Sequence, residues 1–97
     1  MVLFRNCLLY IIEVKLLKIV KDQNPKNIIG PRLKNIRASQ NITQGELSAK
    51  LETMAVYLDR SSISKIERQN RIVTDYELIA LSKVLKIDVN SLLGIDE

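Results

Sequence analysis

The sequence predicts an all-α domain: five short helices after residue 28, with an extra N-terminal segment of different character before them. Three observations carry the prediction. Apolar residues beyond Ile28 recur at three- and four-residue spacing, the period of a helix with one buried face. Two Thr-x-x-Glu boxes, Thr43–Glu46 and Thr74–Glu77, mark helix starts. No alternating runs bounded by glycine and proline signal a sheet after residue 28, and no internal repeat is evident.

Leu33, Ile36 and Arg37 stand at helical spacing and predict a first helix over roughly 30–39. Pro31 falls in its first turn, where a missing N–H is harmless, and Gln40-Asn41-Ile42 ends it. In the second helix, roughly 44–54, the Thr43 hydroxyl accepts from the N3 amide and Glu46 reaches back to the Thr43 amide. Leu47 and Leu51 then share its inner face, and Gly45 costs little so near the start. Asp59 is a good N-cap for a third helix, roughly 60–69, with Ile63 and Ile66 inward. The second box opens a fourth helix with Leu78, Leu81, Val84 and Leu85 in register, ending near Lys86. Asp88 is placed to cap a short fifth helix carrying Leu92 and Leu93, stopped by Gly94. The predicted core is Leu33, Ile36, Leu47, Leu51, Ile63, Ile66, Leu78, Leu81, Leu85 and Leu92.

Residues 1–27 read differently. They are apolar-rich, with Leu8, Leu9, Tyr10, Ile11 and Ile12 in a row. A membrane span needs roughly 20 consecutive apolar residues, and Glu13, Lys15 and Lys18 interrupt this run, so no span is expected. The segment contains no Ala, Gly or Ser, hence no small-residue cleavage site of a signal peptide. Ile12, Leu16, Ile19 and Val20 share one helical face, with Lys15, Lys18, Lys21 and Asp22 largely off it. The frequent β-branched residues suit a strand equally. Three readings stand: an element packing on the domain or on a second subunit, residues that precede the true start of the domain without fixed order, or attachment to a membrane surface. The polar, proline-containing stretch Gln23-Asn24-Pro25-Lys26-Asn27 reads as a linker. This divides the chain into an extension and linker, 1–27, and a domain, 28–97.

A chain of 97 residues allows one domain. Its lone Cys7 cannot form an internal disulfide. With no histidine there is no plausible structural zinc ligand set and no histidine base for serine or cysteine hydrolysis. A hydrophobic content of 46% supports a core and argues against wholesale disorder. One Phe, three Tyr and no Trp make that core aliphatic. No nucleophile, base and ligand constellation exists, so an enzyme is not expected.

Two short helices in tandem, the first opened by a capping box and the second starting with small polar residues, suggest a helix-turn-helix. Thr43-Gln44-Gly45-Glu46-Leu47-Ser48-Ala49-Lys50-Leu51, then Ser61-Ser62-Ile63-Ser64-Lys65-Ile66-Glu67-Arg68, then Thr74 through Gly94, resembles the lambda-repressor-like helix-turn-helix domain of the phage-repressor and Cro type, the XRE family. The resemblance covers about residues 29–94 and rests on the order and spacing of three pieces, none decisive alone. One departure stands out. Nine residues, Glu52 to Arg60, separate Leu51 from Ser61, where most of the family uses a turn of about four, so a longer second helix or a longer turn must absorb the excess.

The resemblance implies that the third helix enters the major groove with its N-terminal residues against base edges. By position Arg60, Ser61, Ser64 and Lys65 would read bases, Arg60 and Lys65 suiting guanine O6 and N7. Gln44 would reach a base edge or brace a reading residue. Thr43, at a helix N-terminus that attracts phosphate, would contact the backbone, as would Ser62, Arg68, Asn70 and Arg71. Each is open to a plainer reading as solvated surface or, for Thr43, as a cap. The family's pairing of an arginine in helix one with a glutamate late in helix three falls on Arg37 and Glu67, and implies a partly buried bidentate pair. The implied function is sequence-specific binding of double-stranded DNA by a small transcriptional regulator, bacterial or phage. It would be a repressor on its operator as a homodimer, cytoplasmic and nucleoid-associated, without cofactor or ligand-sensing domain. The alternative is a protein-interaction module, an antitoxin or anti-repressor type with secondary DNA binding.

A net charge of +4 is weak evidence for nucleic acid until it is divided along the chain. Residues 1–27 hold five basic and two acidic side chains. Residues 28–71 hold eight basic and four acidic, and residues 72–97 two basic and five acidic. The half expected to face DNA is positive and the other half negative.

Overall fold

The computed structural model describes residues 24–95, and the readings of the apolar segment before them fall outside that range. Five helices follow one another among the described residues, with no strand between them: α1 (Gly30–Ser39), α2 (Gln44–Glu52), α3 (Arg60–Glu67), α4 (Asp75–Leu85) and α5 (Val89–Leu93).

Helix starts follow local chemistry. Thr43 and Thr74 each close a full capping box, the hydroxyl accepting from the N3 amide and the N3 glutamate accepting from the cap amide. The Asp59 carboxylate accepts from the Ser62 amide at 2.7 Å and opens α3. Asp88 occupies the N-cap position of α5, but its side chain makes no capping bond, contrary to the expectation from its type. In α1 the cap residue Ile29 has no side-chain oxygen, and the service comes from Asn27, whose Oδ1 accepts from the Gly30 amide at 2.9 Å. Asn27 also donates through Nδ2 to the carbonyls of Ile66 and Arg71, while its own carbonyl accepts from Gln69 Nε2. The Lys26 amide donates to the Gln69 carbonyl. The last two residues of the stretch read as a linker are therefore stitched to the end of α3. Gly30 permits this approach: a Cβ there would stand 2.5 Å from the Ile66 oxygen and 2.8 Å from that of Glu67.

Helix ends share one device. Asn41, Ala55, Gln69, Lys86 and Gly94 lie in the left-handed region, with φ between 58° and 76°. In each case the next amide reaches back five residues: Ile42 to Arg37, Val56 to Leu51, Asn70 to Lys65, Ile87 to Ser82 and Ile95 to Asn90. This stop ends α2 at Glu52, earlier than the roughly 54 expected, and α3 at Glu67, earlier than 69. The excess residues between them lie in the connection Thr53–Asp59, so a longer turn absorbs them.

The core is aliphatic. Leu33, Leu47, Leu51, Leu58, Ile63, Ile66, Leu81, Leu85 and Leu92 are fully buried, with Ile29 and Ala80 beside them. Each buried leucine or isoleucine stabilises the fold by about 1.5–3 kcal/mol. Ile36 and Leu78, expected in the core, pack against its edge and are half-buried. Ile29, Leu58 and Ala80 are core members not expected from the sequence, and Leu58 is the one fully buried among them. It anchors the long connection from inside and so fixes where α3 begins.

Candidate nucleic-acid interface

The eight residues of α3 sort by face. Ile63, Ile66 and Glu67 are buried. Arg60, Ser61 and Lys65, together with Arg68 just after the helix, are exposed, and Ser62 and Ser64 are half-buried. The capping bond from Ser62 holds the Asp59 carboxyl below the ordinary carboxylate range.

Glu67 is acidic yet buried, and three groups meet it. Arg37 Nε donates to Oε2 at 2.6 Å, Arg37 Nη2 to Oε1 at 3.1 Å, and Gln44 Nε2 to Oε1 at 3.0 Å. The side chains of Arg37 and Glu67 are 14% and 3% exposed. Arg37 Nη1 donates to the Ile42 carbonyl at 2.8 Å, so the guanidinium also secures the end of the α1–α2 turn. The hydrogen-bonded carboxylate of Glu67 holds Arg37 above its already high ordinary value, and burial opposes this only in part. The cluster ties α1, the N-terminus of α2 and the last turn of α3 into one rigid unit.

Arg37, Thr43, Gln44, Gly45 and Arg60 line a shallow groove of about 450 Å³ between the beginnings of α2 and α3. Of the side chains expected at bases or phosphates, Thr43, Gln44 and Arg60 thus come together here. Thr43 Oγ1 accepts from the Glu46 amide at 3.0 Å, and its own amide donates to Glu46 Oε1 at 2.8 Å. That pairing lowers the pKa of Glu46. Gln44 spends an amide hydrogen on Glu67, which makes it a brace whatever else it touches.

Ser61, Ser64, Lys65 and Arg68 follow one another along α3, with Arg68 Nε donating to the Ser64 carbonyl at 3.3 Å. Asn70 is half-buried, and its amide completes the helix stop. Arg71 turns away from the others. Its Nη1 and Nη2 donate to Glu77 Oε1 and Oε2 at 2.9 and 3.1 Å, and Nη1 donates also to the Ile72 carbonyl. The pair raises Arg71 above its ordinary value and lowers Glu77, each chiefly through the hydrogen bonds between them. A phosphate at Arg71 would have to compete with Glu77.

Three features of the region escape sequence reasoning. Asn27 and Gln69 hold α1 to α3 across 42 residues, and nothing local marks them. The bond from Gln44 to Glu67 crosses 23 residues. Tyr57, 77% exposed, stands at the rim of a second groove that includes Ser62. Among the described residues no group of acidic or sulfur ligands is placed to hold a metal ion. No helix among them is long and apolar enough to cross a membrane.

A helix-turn-helix family model matches residues 33–92, which spans all five helices but the first three residues of α1 and the last of α5. Neither a curated protein nor a solved structure matches the chain significantly. With α2 and α3 in tandem, the buried Arg37–Glu67 pair behind them and a family match over most of the chain, the protein belongs to the lambda-repressor-like, Cro-type helix-turn-helix family of DNA-binding domains.

Proposed function

We propose that the protein is a sequence-specific transcriptional repressor that binds its operator as a homodimer, α3 of each subunit entering successive major grooves about one helical turn apart. The single observation that supports this best is the construction of α3: a polar stripe of exposed Arg60, Ser61 and Lys65 with half-buried Ser64, on a helix whose buried side is clamped by Arg37, Glu67 and Gln44. A reading surface must not yield when it meets base edges, and a buried charge network is a stiff mounting. In this reading Arg60 and Lys65 take guanine O6 and N7, Ser61 and Ser64 accept or donate as the base requires, and Gln44 lies at the groove edge. Thr43, Ser62, Arg68 and Asn70 meet phosphates and set register without choosing sequence, while Arg71 stays paired with Glu77. The chain acts on the nucleoid in the cytoplasm and blocks polymerase by occupancy.

Selection of bound sequences from a random double-stranded pool tests this directly. The expected result is a palindromic consensus with half-sites about 10 bp apart, centre to centre. No enriched sequence at submicromolar protein and moderate salt would leave the antitoxin or anti-repressor reading as the better one. Sedimentation of the full chain, free and on the selected site, tests the dimer.

A further inference from the structure

The corner where the described chain begins and α4 starts leaves apolar surface open. Ile28, Ile72, Tyr76 and Ile79 are 61%, 65%, 80% and 46% exposed, four of the seven large hydrophobic side chains exposed among the described residues. Tyr76 and Ile79 stand three residues apart on α4 and share a face, and exposed Lys83 extends the same stripe. Ile72 lies two residues before the Thr74 cap, at the same end of the helix. Ile28 follows Asn27, whose Nδ2 donates at 2.7 Å to the Arg71 carbonyl, part of the peptide group that leads into Ile72. Single exposed apolar residues are ordinary, but several gathered in one place mark a contact surface.

The chain itself supplies an occupant. The Lys26 amide donates to the Gln69 carbonyl at 2.9 Å, so the backbone enters the described fold beside the turn that leads to α4. The segment before residue 24 attaches at this point, and its Ile12, Leu16, Ile19 and Val20 share one face at helical spacing. Six residues lead from Val20 to Lys26, a tether of about 20 Å at full extension, enough to lay that face along the first two turns of α4. Charge agrees with this occupant. Residues 1–27 carry five basic and two acidic side chains, residues 72–97 carry two and five, and Asp75 is exposed beside Tyr76. A second copy docked face to face would instead set one acidic half against another.

We propose that the segment around residues 12–20 docks on the exposed face of α4 in its own chain, Ile12, Leu16, Ile19 and Val20 covering Ile72, Tyr76 and Ile79. Lys15, Lys18 and Lys21, off the apolar face, meet the acidic half of the domain. The contact removes apolar surface from water on both sides and adds a second tie between the N-terminal part of the chain and the α3–α4 turn.

Cys7 is the chain's only cysteine and lies just ahead of the segment, so a nitroxide attached to it reports where the segment sits. Amide spectra of the full isotope-labelled chain carrying the nitroxide are recorded for wild type, Leu16→Asp and Ile79→Asp. In wild type the amides of Ile72, Tyr76, Ile79 and Lys83 should lose most of their intensity, while those of Arg60 and Ser61, at the far end of α3, keep theirs. Each substitution should restore the α4 signals, and Ile79, outside the buried core, is replaceable without unfolding the domain. A loss that survives either substitution, or one no greater at α4 than at Arg60, overturns the proposal. Mixing isotope-labelled chain without nitroxide and unlabelled chain with it separates the sources. No loss is expected in that mixture, and loss at α4 there would seat a second copy on the face and overturn docking within one chain. None of these spectra needs DNA, so failure here leaves the reading of α3 standing.

Discussion

Glu67 carries more of the architecture than any other polar side chain, because three helices depend on its carboxylate. Replacing it by Ala strands the Arg37 guanidinium, 14% exposed, without its counter-charge and frees the Gln44 amide from α2. The expected loss is on the order of 3 kcal/mol in denaturant melting, the cost of an unpaired buried charge. A loss below about 0.5 kcal/mol would reduce the pair to surface decoration. Gly30→Ala tests the neighbouring join. A Cβ there meets two backbone oxygens of α3, which cannot swing aside as a side-chain tip would. The substitution should therefore destabilise by about 1–3 kcal/mol, the usual cost of overpacking, although alanine is the better helix former. The pair was readable in the sequence because the family resemblance places both residues. The third partner and the glycine were not, since each depends on which backbone lies opposite, and that is settled only when α1 and α3 meet.

The helix starts and the ends at Ser39, Leu85 and Leu93 were legible in the sequence, and the ends of α2 and α3 were not, for a physical reason. A start is written in side chains: Thr43, Asp59 and Thr74 carry oxygens that bond the chain's own amides two or three residues on. An end is written in one backbone dihedral, and here only Asn41 and Gly94 are residue types that advertise it. Asn41, Ala55, Gln69 and Lys86 take the same left-handed turn, drawn into it by a following Ile, Val or Asn whose amide reaches back five residues. Ala55, at φ 60°, bears the cost without a polar side chain to soften it. Ala55→Gly should therefore stabilise the protein by about 0.5–1 kcal/mol, the relief at this dihedral exceeding the entropy that glycine adds to the unfolded chain. A lower melting temperature would contradict the assignment. The starts also give the fold its response to acid. Glu46, Asp59 and Glu77 are held below their ordinary values, so the unfolded chain binds more protons than the folded one as pH falls. The stability they confer is full above the ordinary carboxylate range near pH 4 and is lost as pH falls through the lowered native values. Thermal melts should show a decline beginning below about pH 5, and Glu77→Gln should make that decline shallower.

At the scale of the whole molecule the decisive quantity is where charge sits. Residues 28–71 carry eight basic and four acidic side chains, against two and five over residues 72–97. Two of the eight, Arg37 and Arg71, are neutralised within the fold by Glu67 and Glu77. The ion pairs thus take two arginines out of play, and the cations left exposed include Arg60, Lys65 and Arg68, on or just after α3, the helix proposed to meet DNA. The sign of the two halves was legible in the sequence. That Arg37 is spent internally was implied by the resemblance, and that Arg71 is spent was not legible, because Arg71 and Glu77 find each other only through the turn that links α3 to α4. If the three exposed cations at each α3, Arg60 and Lys65 at base edges and Arg68 at the backbone, each displace a condensed counterion, a dimer releases about six, and log Kobs should fall against log salt with a slope of about −5. Between 50 and 200 mM salt that is a loss of about a thousandfold in affinity. Arg68→Ala, present twice in the dimer, should lower the magnitude of the slope by about 2 and weaken all sequences alike. Arg71→Ala should leave the slope nearly unchanged while costing stability through the unpaired Glu77. A steep loss of slope in Arg71→Ala would mean that phosphate outcompetes Glu77, so that the arginine changes partners when DNA arrives.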